Sequence, residues 1–143
     1  MTQVDFYILD DNAPGDRYLV ACRLADKAFG QGRRVYIHTA DPQDLRRLNN
    51  LLWSFRDQSF VPHGPIGESD PDITPVLLGC DRDPDNEDDV LINLAPEVPG
   101  FFSRFRRVAE IIDADVQVKQ QGRQRYRFYK DRGYPLDTHE LKQ

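Results

Sequence analysis

Two cysteines, three histidines and no glycine-rich phosphate loop leave this 143-residue sequence short of the residues on which most enzyme classes depend. Cys22 and Cys80 form no CxxC and lie far apart, which fits two small core thiols in a reducing cytoplasm rather than a disulfide framework. His38, His63 and His139 are scattered, none three or four residues from another histidine or a cysteine, so no metal-ligand spacing is present. GxGxxG, GxxxxGK[ST] and GxSxG are all missing, and "DDNAPGDRY", where a phosphate loop would follow the first strand, holds a single glycine. No apolar run approaches the length that spans a bilayer. The opening "MTQVDFYILDD" has no basic leader and no long apolar segment, so no signal peptide is expected. Excess positive charge is lacking too: the net charge is -5, which argues against a general nucleic-acid binder.

What is present reads as one α/β domain over residues 1–143. "VDFYIL" (4–9) is a strand buried on both faces. From Asp16 to Gln31 the spacing of Val20, Leu24 and Ala28 predicts a helix, closed by Gly30 and Gly32. "RRVYIHTA" (33–40) is a second strand. Asp41 is an N-cap with Pro42 at the first helical position, and Leu45, Leu48, Leu52 and Phe55 supply that helix's apolar face. Residues 59–75 read as irregular. "VLLGC" (76–80) and "DVLINLA" (89–95) are short strands joined by "DRDPDNEDD"; "RVAEIID" (107–113) fits a fifth strand or part of a helix, its β-branched end favouring the strand; and the chain to Gly133 is a helix followed by a tail. The order predicts a three-layer α/β/α sandwich with a mostly parallel sheet of about five strands.

Candidate chemistry is sparse. Asp10 and Asp11 end the first strand, where they could hold a metal or a ribose, or simply cap the next helix and face solvent. "DRDPDNEDD" fails the calcium-loop pattern at its sixth and twelfth places and reads as a solvated turn. His38 reads as a satisfied packing residue. Two features stand out. The run Leu51, Leu52, Trp53, Phe55, Phe60, Val61 is either a wide core face or an exposed patch for a protein partner. The second is "RQRYRFYKDRG" (123–133). At about 100° per residue, with Lys119 at zero, Lys130 falls at about 20°, Arg123 at about 40° and Arg127 at about 80°. Tyr126 borders this stripe, while Arg125 and Arg132 point elsewhere, and Gly122, Tyr129 and Val118 should meet the sheet. Asp131 is the one acid between Lys119 and Gly133, so the four cations read as unpaired and suited to a small anionic peptide.

The stretches "FYILDD", "LLW" followed by "SFVPH", "DVLINL" and "RQRYRFYKDRGYPLDT", in that order and spacing, resemble the chi subunit of bacterial DNA polymerase III. The resemblance covers nearly the whole chain. It implies a Rossmann-like domain without nucleotide-binding residues, with no cofactor and no activity of its own. It implies two partners. One is the psi subunit, bound as a heterodimer that joins the clamp loader; the other is the acidic C-terminal tail of single-stranded-DNA-binding protein, which ends in Pro-Phe. Carried over by position, Arg123, Tyr126 and Arg127 form the tail pocket, Lys119 and Lys130 add charge, and Thr138 lies nearby. Either Val116 or Val118 lines that pocket, and Trp53 and Phe60 match the psi-facing surface. No strong direct nucleic-acid binding and no membrane partner are implied. The competing reading is a small nucleotide- or metal-dependent enzyme built on Asp10 and Asp11.

Overall fold

A computed structural model describes residues 1–11, 15–57 and 60–141. Residues 12–14 of the first turn cluster, 58–59 beside the apolar run and 142–143 of the tail lie outside the described residues. The elements are β1 (Gln3–Leu9), α1 (Arg17–Gly30), β2 (Val35–Thr39), α2 (Pro42–Ser54), β3 (His63–Pro65), β4 (Val76–Cys80), β5 (Val90–Asn93), β6 (Arg107–Ile112), α3 (Val116–Asp131) and β7 (Leu136–Leu141). A short 3-10 turn, Phe102–Arg104, precedes β6.

The strands form one sheet in the order β3-β4-β2-β5-β6-β1-β7, and every pairing is parallel. Seven strands replace the expected five. The additions are β3, in the stretch read as irregular, and β7, in the stretch read as a tail. Both are edges. An edge strand bonds on one side only and needs no continuous apolar run, so neither "HGP" nor "LDTHEL" carries the usual signal.

Alternation along the strands splits the core into two layers. One face (Leu9, Val35, Ile37, Leu78, Ile92, Ile111) is covered by α1 through Val20, Ala21 and Ala25 and by α2 through Leu48 and Leu52. The other (Val4, Phe6, Tyr36, Leu77, Leu91, Val108) is covered by α3 and by Phe102 and Phe105. This is a Rossmann-like α/β/α sandwich. Helix starts are capped as the sequence predicts for α2, where Asp41 accepts from the Gln43 N–H at 2.8 Å. At α1 the cap is Asp16, which accepts from Tyr18 and Leu19, so Asp10 and Asp11 do not serve there.

The "DRDPDNEDD" turn is only partly solvated. Asp81, Asp83 and Asp85 are exposed, but Glu87 is buried and accepts from Arg34 Nε and Nη2 at 3.0 and 3.1 Å. Cys22 is buried and Cys80 half-buried, both as free thiols, and burial pushes the Cys22 thiol up to about 12. No helix among the described residues is long and apolar enough to cross a membrane.

Candidate functional site

Register aligns one transverse row of residues across six strands: Gly79, His38, Asn93, Glu110, Phe6 and Thr138. Their side-chain positions all fall on the α3 face. The middle of the row is a buried polar network. Asn93 Nδ2 and the Tyr129 hydroxyl donate to Glu110 Oε2 at 3.0 and 2.8 Å, and Arg125 Nε donates to Glu110 Oε1 at 2.8 Å. Arg125 Nη1 also reaches the Pro96 carbonyl at 3.0 Å. Glu110, Arg125 and Tyr129 are all buried, so the pair needs each of these bonds to offset its desolvation. Burial, and after it the Glu110 charge, raise the Tyr129 hydroxyl's pKa and keep it a donor. His38 Nδ1 lies 3.2 Å from Asn93 Oδ1. Asn93 spends its amide on Glu110 and the Glu97 carbonyl, so its oxygen accepts and His38 donates to it from Nδ1. Burial lowers the His38 pKa, partly opposed by that hydrogen bond. His38 is therefore a satisfied packing residue.

This network fixes how α3 is rotated. Arg125, Gly122 and Tyr129 point in, as Arg123, Arg127 and Lys130 emerge on the opposite side, exposed and without a hydrogen-bond or ion-pair partner among the described residues. Lys119 is different from what its spacing suggests: its Nζ lies 3.3 Å from Asp11 Oδ1. The partner is 108 positions away in sequence, beyond the reach of local charge counting. The free ridge is thus three cations, not four. Tyr126 sits beside it, its ring edge-on to Phe6 at 5.2 Å between centroids. Phe6 pairs with Thr138 of β7, so Tyr126 lies toward the β7 side of the sheet, with the exposed ridge next to it on the helix. Of the two valines, Val118 packs on the second core cluster alongside Ile8, Tyr126 and Leu136, while Val116 is 80% exposed. Phe128, on the far side of the helix, packs against Phe102 and carries the Arg132 guanidinium over its ring at 3.6 Å.

Trp53 and Phe60 are exposed, 58% and 64%, with ring centroids 5.8 Å apart. The neighbouring apolar residues divide: Leu52 and Val61 are buried, and Leu51 and Phe55 pack on the first core cluster. His63, at the start of β3, stands 4.5 Å from the Trp53 ring, with Nδ1 2.6 Å from the Val61 carbonyl and Nε2 2.9 Å from that of Asn49. The patch is therefore tied to the β3 edge. With six strand spacings between β3 and β7, the two edges stand about 29 Å apart.

At the carboxyl ends of the strands a cavity of about 440 Å³ is lined by Arg17, Asp41, Asp44, Asp113 and Asp115, among others; neither Asp10 nor Asp11 lines it. Both are exposed, and Asp11 is engaged by Lys119. Among the described residues no three His, Cys, Asp or Glu side chains converge as a metal-ligand set. Sequence reasoning missed Ile8, Phe6 and the whole of β7 as parts of the rim. No apolar alternation in "LDTHEL" could have marked it: only its two end residues, Leu136 and Leu141, are half-buried, and the four between them are exposed.

The fold is a Rossmann-like domain that carries an exposed aromatic pair beside β3 and an exposed basic ridge on α3. The family model described as DNA polymerase III chi subunit, HolC, matches residues 1–137. The chain belongs to that family. The DNA polymerase III subunit chi of Pseudomonas aeruginosa is 46% identical over 141 residues, covering 99% of this chain and 98% of its own length. That of Escherichia coli K12 is 29% identical, with 96% and 97% covered, and that of Haemophilus influenzae 30%, with 93% of each.

Proposed function

We propose that this chain is a non-catalytic accessory subunit that bridges two proteins during DNA replication. The Trp53/Phe60 surface at the β3 edge holds the psi subunit, and through it the clamp loader. The rim at the β7 edge holds the acidic C-terminal tail of single-stranded-DNA-binding protein. One observation carries the reading: an exposed aromatic pair and an unpaired basic ridge stand at opposite edges of one rigid sheet, so two partners can be engaged without competing. Chemistry supports each assignment. Arg123, Arg127 and Lys130 offer carboxylate-binding donors that no acid among the described residues occupies, and Tyr126, Val118 and Ile8 provide an apolar wall for a terminal phenylalanine. Trp53 and Phe60 are large anchors of the kind that dominate protein interfaces.

The test is a double dissociation. Calorimetric titration with a short acidic peptide ending in Pro-Phe, and co-purification with a psi protein, are run on wild type, Arg123→Ala and Trp53→Ala. Arg123→Ala should lose peptide binding and keep psi; Trp53→Ala should do the reverse. Peptide binding that ignores Arg123→Ala, or psi binding that ignores Trp53→Ala, overturns the corresponding half.

A further inference from the structure

β7 has a property that the basic ridge does not explain. It bonds β1 on one side and has no second neighbour among the described residues. The Val4 N–H donates to the Pro135 carbonyl, and the Asp10 N–H donates to that of Leu141, both at 2.9 Å. In a parallel ladder of that phase, Asp137, His139 and Leu141 supply the inward main-chain groups. The N–H and C=O of Leu136, Thr138 and Glu140 then face away from the sheet. These same three residues carry their side chains on the α3 face, because Thr138 pairs with Phe6 and Leu136 with Val4. Thr138 therefore presents both a hydroxyl and an open main-chain donor and acceptor to the rim beneath the ridge.

The rotation of α3 sets what lies above that edge. Arg125 and Phe128 point toward Pro96 and Phe102, on the β5 side. Tyr126 leans on Phe6 of β1, and Lys119 reaches Asp11 beyond the end of β1, on the β7 side. The turn of the helix puts Lys130 and Arg123 above that second flank, with Arg127 next to them on the face turned away from the sheet. Three unpaired cations stand on this flank of α3, against Asp131 at the helix end and Glu140, the one acid of β7 on the α3 face, so positive charge is in surplus. An open strand edge under surplus positive charge fits a chain that is extended and acidic.

We infer that the acidic peptide of the proposed function is held as an eighth strand on the free edge of β7, its main chain bonded to Leu136, Thr138 and Glu140 and its ridge-side residues lying under Arg123, Arg127 and Lys130. This rests on the tail-binding reading and adds to it a binding mode. The consequence is a period of two: alternate peptide amides point at β7, and alternate side chains meet the ridge.

The test uses the full chain and the same synthetic acidic peptide ending in Pro-Phe, with backbone N-methyl groups on alternate residues in two registers. One register should lose about fivefold in affinity per methyl group, and the other should stay within about twofold of the parent. Amide exchange at Thr138 and Glu140 should slow when the unmethylated peptide is added. If both registers bind like the parent, or both weaken alike, strand addition is wrong while parent binding leaves the ridge reading standing. If the parent itself does not bind, both fall together. If sedimentation shows the free chain self-associating with the β7 amides already protected, a second copy occupies the edge and the inference is overturned.

Discussion

Arg123, Arg125 and Arg127 have the same side chain and opposite energetics. Arg125 neutralises Glu110 in the core, so Arg125→Met leaves a buried carboxylate with only Tyr129 and Asn93 as donors. Breaking a buried pair from one side costs about 3–5 kcal/mol, and chemical denaturation should show a loss of that size. Arg123 is exposed, and Arg123→Ala should change stability by no more than about 0.5 kcal/mol while weakening peptide binding at least about tenfold. His38 gives a pH signature. Its folded pKa is depressed below the ordinary value of about 6.5, so the unfolded state takes the proton first. The stability its neutral form contributes is whole above about pH 6.5 and is lost as pH falls from there toward the folded pKa. Melting curves of wild type and His38→Gln should accordingly differ in pH slope between about pH 6.5 and 5, and run parallel above about pH 7.

Among the elements, α3 depends on its first turn. Asp115 caps it, accepting from Gln117 and Val118 N–H groups at 2.9 and 3.1 Å, and this turn carries Val118 and Lys119. Asp115→Ala should cost about 1 kcal/mol and speed amide exchange at the helix start. Between β2 and β4 the packing is tighter: a Cβ built at Gly79 would overlap the buried Tyr36 hydroxyl, which donates to the Arg82 carbonyl at 2.5 Å. Gly79→Ala should destabilise by about 2–3 kcal/mol, read in the same denaturation assay. All three helices and the five inner strands were legible in the sequence, since each buries a stripe or face that leaves its period in the apolar residues. The two edge strands were not, because one-sided pairing leaves no such mark. Helical phase placed the ridge on one face of α3, but it could not show that Lys119 is taken by Asp11, a partner distant in sequence. That Arg125 belongs to the core was readable in principle from Glu110, an acid set inside the apolar strand "RVAEII", which demanded a buried partner.

The whole molecule is acidic, and the ridge is a local exception on it. Long-range attraction to a polyanion is therefore weak, and the proposed peptide binding depends on short-range pairing with the ridge. Raising salt from about 0.1 M to about 1 M contracts the Debye length from about 10 to 3 Å. Peptide affinity should fall at least about tenfold over that range in a titration series, while association through the apolar Trp53/Phe60 surface should change little. Bare single-stranded DNA should give no stable shift on a gel at physiological salt.

An all-parallel sheet also sets the order in which the molecule can be made. β1 emerges from the ribosome first, yet its two neighbours are β6 and β7, residues 107–112 and 136–141. At about 5–20 residues per second, the first strand waits on the order of 5–20 s for its first partner and somewhat longer for its second. Through that interval "VDFYIL" is an apolar segment with both edges open. The nascent chain, more than the folded domain, is the form in which this segment stands exposed to mispairing.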